Sequence, residues 1–162
     1  MSDVFPEQLI TNIANYLSMF RALNDYVEIK SGRIINISVD AKIFVNKNYN
    51  AADVVSNVIA AVKDFFDIDK RQMGDNIYIS ELAKRITDIE GVLNVVDLQI
   101  WNEYGTGYSS VRASDPVVEG ENEGDRAQID TVASNYTLNG DADSMFEIKN
   151  PDNDITIRTI VR

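Results

Sequence analysis

Carboxylates are the commonest reactive groups in this chain, and two runs of them invite a metal-binding reading. DPVVEGENEGD holds Asp115, Glu119, Glu121, Glu123 and Asp125, and NGDADS holds Asp141 and Asp143. Calcium takes about six to eight oxygens at fixed spacing, and a loop of the EF-hand type ends in a bidentate Glu at its twelfth position. Asp141-x-Asp143 has no third acid at the next alternate position and no such terminal Glu. The spacing therefore predicts solvated acidic loops rather than a cation site. A pair of acids could also hydrolyse a glycosidic bond, but such a pair is defined by its separation in space, and nothing here singles out two partners. Gly105-Thr-Gly107 follows an expected strand but lacks the GK[ST] ending and following helix of a phosphate loop.

Trp101, Tyr104 and Tyr108 stand where an expected strand runs into a Gly-containing loop. Trp and Tyr are enriched among the residues that dominate protein interfaces, which makes these three candidates for a partner contact. Aromatics at a strand end also cap local packing, and both readings stand at this point.

The residues that are missing exclude more than those present. The chain has no His and no Cys. Triads and zinc sites built on His are excluded, as are disulfides, thiolate nucleophiles and thiolate ligands. What remains for catalysis is carboxylates, Lys, Tyr, Ser and Thr, and no cofactor or metal is expected. The net charge of −11 is uneven: residues 104–154 hold 11 acids and 3 bases, while the last eight residues hold two Arg and no acid. Neutralising phosphates requires clustered Lys and Arg, so nucleic acid is not an expected partner. No run of about 18 apolar residues exists, which argues against membrane insertion. MSDVFPEQ has acids where a signal peptide would have a basic region.

The elements that would position any site follow from periodicity. Pro6 suits a first helical turn, and Leu9, Ile13, Leu17 and Phe20 recur near helical period, predicting a helix over 6–24. Tyr26 to Lys30 reads as a short strand. RIINISVDAKIFV alternates strictly, with Ile35, Ile37, Val39, Ala41, Ile43 and Val45 on one face, predicting a long half-buried strand. Asn50 is a suitable N-cap for a helix carrying Val54, Val58, Val62, Phe65 and Phe66. In MGDNIYISELAKRITDIEGV, Gly74 turns the chain, a short strand ends at Ile79, Ser80 caps a helix and Gly91 ends it. The polar Asp75, Ser80, Glu81, Lys84 and Arg85 then read as caps and a solvated face, not as a site. From Val92 a strand returns, with Val96, Leu98 and Ile100 alternating with Asp97, Gln99 and Trp101.

The expected fold is α+β: a small mixed sheet covered by two or three helices. Residues 1–103 form its core domain, 104–143 an acidic loop or arm, and 144–162 a C-terminal β-hairpin turning at Asn150-Pro151-Asp152-Asn153.

The order and spacing within residues 33–100 resemble the C-terminal region of Baseplate J-like phage proteins. The resemblance rests on Gly74, Ile77-Tyr78-Ile79, Ser80, Leu82, Ile86, Gly91, Val92 and Val95, after a long alternating strand and a helix ending in aromatics. The acidic segment and the ending PDNDITIRTIV look more like the larger baseplate wedge subunit of T-even-type contractile tails, so the chain would match the C-terminal part of that subunit. The resemblance implies a structural virion protein in the tail baseplate, present in host cytoplasm during assembly. Such subunits dimerise, link into a ring and contact other wedge proteins. No catalytic residue belongs to the motif, and an enzyme is not expected. The alternative from the residues alone is a calcium- or carbohydrate-binding module of a virion or extracellular surface protein.

Overall fold

The computed structural model describes residues 6–20 and 26–162. Helix α1 spans Glu7–Ser18, and Leu9 N–H and Ile10 N–H close its first turn on the Pro6 carbonyl. The stretch 21–24 of the expected helix lies outside the described residues. No α1 residue is buried, and Met19 and Phe20 just beyond it are each 71% exposed. The strand expected at 26–30 does not form; these residues lead to the sheet without a ladder partner.

Strand β1 is Arg33–Val45, the alternating stretch itself, and its six apolar positions are at most 1% exposed. Residues 51–65 form α2 (Ala51–Phe65), capped by Asn50, whose side chain accepts from the Ala52 N–H at 3.1 Å. Strand β2 is Ile77–Tyr78 and helix α3 is Ile79–Thr87. Ser80 is not the cap of α3. The helix begins one residue earlier, and the Ile79 N–H donates instead to the Tyr136 carbonyl at 2.8 Å. Gly91 follows α3 at φ +94, and a Cβ there would meet Val54 Cγ2 at 2.7 Å, so both conformation and space require glycine.

Strand β3, Val92–Glu103, runs antiparallel to β1. Its register slips twice: Lys42 faces Asp97 but Ile43 faces Val95, and Phe44 faces Asn94 but Val45 faces Val92. Each slip leaves one residue unmatched, and both of these, Val96 and Leu93, are exposed (44% and 50%). Val96 therefore leaves the core row expected of it, because a bulge moves a side chain out of the alternation.

The expected acidic arm runs through the fold rather than away from it. Strand β4 (Val117–Glu123) and strand β5 (Arg126–Ile129) form an antiparallel pair, and β5 lies along β3. Strand β6 (Thr137–Leu138) pairs with β2 in a separate two-stranded sheet. Ala127, Ile129 and Leu138 carry this acidic stretch into the core; all three are buried.

The expected C-terminal hairpin is overturned. Strand β7 (Ser144–Glu147) and strand β8 (Ile155–Val161) never pair; both lie parallel to β1, matching Arg33–Asn36 and Val39–Val45 in turn. Asn150-Pro151-Asp152-Asn153 does not reverse the chain, because Pro151 opens a one-turn helix α4 (Pro151–Asp154). The Asp154 carboxylate accepts from the Asn150 N–H at 2.7 Å, closing that turn and returning the chain to its original direction. Parallel placement also buries Ile155 and Phe146, which a solvent-facing hairpin would leave bare.

The fold is thus α+β: a mixed six-stranded sheet ordered β4-β5-β3-β1, with β7 and β8 sharing the last position, plus the β2-β6 pair. α2 and α3 pack on the face carrying the odd-numbered residues of β1, where the core sits. Among the described residues no helix is long and apolar enough to cross a membrane.

Candidate functional site

The three aromatics singled out from sequence lie close along the chain but are already engaged within it. Trp101 is on the sheet face away from α2 and α3, opposite Ser38, and is buried with the Arg126 guanidinium 4.2 Å over its ring. Tyr104 lies nearly as deep, beneath Arg112 at the same distance. The Tyr108 hydroxyl donates to the Asp154 carboxylate at 2.5 Å. Burial, reinforced by that carboxylate, raises the Tyr108 pKa above its ordinary value. In the free chain these rings cap local packing, and none is offered as an open anchor.

What holds that end of the sheet is a pair of buried amides that periodicity did not reveal. Asn36 and Asn102 are almost inaccessible. Asn102 donates to the Asn36 carbonyl at 2.9 Å and accepts from the Ala113 N–H at 2.9 Å, while the Asn36 side chain accepts from the Ser109 N–H at 2.7 Å. The loop between β3 and β4 is thereby tied to the two central strands. Among the described residues no buried side-chain nitrogen or oxygen lacks a partner, as a low-dielectric interior demands. Asn36 falls on the polar face of an otherwise regular strand, so its position was legible though its burial was not.

The acidic pair Asp141-x-Asp143 meets a cation of the protein's own. Arg33 donates to Asp141 at 2.7 Å and to Asp143 at 2.8 Å, and Ser114 donates to Asp141 at 2.8 Å. The Ser114 hydroxyl, then Arg33, hold the Asp141 pKa below its ordinary value. Asp115, just before β4, is different. It is buried, accepts from the backbone and side chain of Asn139, and has its pKa raised because burial outweighs those bonds. Among the described residues no group of three acids is placed to share a metal ion.

Besides the exposed helix α1, two further open surfaces stand out among the described residues. One is a groove of about 580 Å³ lined by Ile79, Ala83, Val96, Leu98, Val132 and Tyr136. Tyr136 in its wall and Asn135 before it stand at φ +56 and +54, a left-handed pair that is costly for side-chain-bearing residues. That strain turns the Tyr136 carbonyl onto the start of α3. The other surface is the outer rim of β8, seven residues of which six are β-branched, in continuous register with β1. Its single internal charge, Arg158, is held in a fork by Asp40 at 3.1 and 2.8 Å. No family model matches the chain, and no curated protein matches it.

Proposed function

We propose that this chain is a structural component of a contractile-tail phage baseplate wedge, working by self-association and by contacts with other wedge proteins, without catalysis. The observation that carries the reading is α1, whose apolar residues are largely uncovered: Leu9, Ile13 and Tyr16 are exposed, and Ile10 and Leu17 are only half-buried. Such a stripe on a helix with no buried residue is complete only against a partner. The resemblance in residues 33–100 supplies the setting. The pairing of Arg33 with Asp141 and Asp143 speaks against a calcium module there, since the chain's own cation already neutralises both acids.

Mass spectrometry of purified contractile tails tests the proposal. The chain is expected in fixed stoichiometry with the other baseplate proteins, and its absence from intact tails would overturn the reading.

A further inference from the structure

We infer that the outer rim of β8 is the surface through which two copies of this chain associate, strand against strand and antiparallel, about a twofold axis at Thr159. This names the contact behind the self-association proposed above and rests on that reading.

The backbone establishes which groups are free. The Arg162 N–H donates to the Val45 carbonyl at 3.0 Å, and the Arg162 carbonyl accepts from the Lys47 N–H at 2.8 Å. Successive residues of a strand point their backbone groups to opposite sides, so Thr156, Arg158 and Ile160 also serve β1. The N–H and C=O groups of Ile157, Thr159 and Val161 then point outward. Among the described residues no strand meets them.

Unpaired rims are ordinarily protected by a bulge, a proline, a lysine or a short length. β8 has none of these: its seven residues pair with β1 without a register shift. The opposite rim of the same sheet is protected. β4 carries a register irregularity between Val117 and Asn122, places Gly120 at φ +85, and exposes Glu119 and Glu121.

Charge and apolar surface favour a second copy as the occupant. A net charge of −11 opposes self-association over most of the surface, yet residues 155–162 carry two Arg and no acid. Pairing about Thr159 sets Ile157 against the other copy's Val161, covering a valine that is 56% exposed. It forms three hydrogen-bonded residue pairs, about six backbone hydrogen bonds. It also sets Arg162 opposite the other copy's Thr156, whose β1 neighbour is Asp40. Each of these pairs occurs twice, once on either side of the axis, as an isologous contact requires.

Sedimentation of the full chain across a wide concentration range tests the inference. The wild type and Thr159→Ser are expected to dimerise. Thr159→Lys and Thr159→Glu place like charges opposite each other at the axis, and each is expected to weaken the dimer about tenfold or more. Mixed in equal amounts, the two charged variants are expected to restore a dimer, because residue 159 lies opposite itself only in this register. Unchanged circular dichroism in each variant excludes unfolding as the cause. A wild type that stays monomeric, a charged variant that dimerises as well as the wild type, or a mixture that fails to recombine would each overturn the assignment. Tail composition tests the wedge reading separately, so either can fail alone.

Discussion

β4 and β8 close the same sheet from opposite sides, and their residues treat water differently. β4 reads VVEGENE, with a left-handed glycine in the middle and an irregular register to β5. β8 reads ITIRTIV, follows β1 residue for residue, and tethers its one internal charge to Asp40. The first combination resists the addition of a strand, and the second invites it. A local pattern of glycine, acid and bulge therefore distinguishes a rim closed to a further strand from a rim left open to one.

Proline substitution gives the strongest test of that distinction. At Arg158 it removes an N–H that serves β1, and urea denaturation is expected to show a loss of about 3 kcal/mol or more. At Thr159 the same substitution removes only an outward N–H, a position where edge strands tolerate proline. The expected cost to the monomer is under about 1 kcal/mol. Equal losses at the two positions would overturn the assignment of inner and outer groups.

On the other rim, Gly120→Ala tests whether β4 depends on its left-handed residue. A Cβ there meets nothing within 4 Å, so the penalty is that of the backbone alone. A loss of about 1–2 kcal/mol in urea is expected. A neutral result would mean that β4 can straighten, and the contrast between the rims would weaken.

The smallest effect concerns how β4 is tied down. Asp115 anchors its entry through Asn139, and burial raises its pKa above the ordinary 3.8. Between those two values the folded chain binds the proton more tightly than the unfolded chain. Asp115 therefore stabilises the fold most at acid pH, and that contribution is lost as pH rises from 3.8 through the raised value. Asp115→Asn is expected to flatten this part of the stability curve, measured by urea denaturation across the window. An unchanged slope would assign it to other acids.

The parts legible in the sequence are those decided by near neighbours. The alternation of β1 and the Asn50 cap each depend on a few adjacent residues, and each stands as read; Gly91 is left-handed as expected, but α3 already ends at Thr87, so the glycine turns the chain into β3 and does not end the helix. What escaped is decided at long range. The start of α3 is satisfied by a carbonyl at Tyr136, which no local pattern at Ser80 could announce. RAQI alternates over only four residues inside an acidic run, so Ala127 and Ile129 did not stand out as core. Asn150-Pro151-Asp152-Asn153 suits a reverse turn and a helix start equally well, and the open side of β1 settled the choice. Trp101, Tyr104 and Tyr108 were placed correctly at a strand end, but the arginines covering the first two come from residues 112 and 126, beyond any local reading.

The parallel pairing of β1 with β8 also imposes an order on the birth of the molecule. Val39 meets Ile155, 116 positions later in the chain, and seven of β1's residues find their last neighbour only there. At ordinary rates of translation the ribosome needs on the order of ten seconds to cover that distance. Throughout that interval the most apolar strand of the nascent chain lacks its final companion, and contacts of such long range also form slowly. Nascent chains stalled short of residue 155 should therefore be the ones most dependent on chaperones, and the emergence of β8 is what ends that exposure.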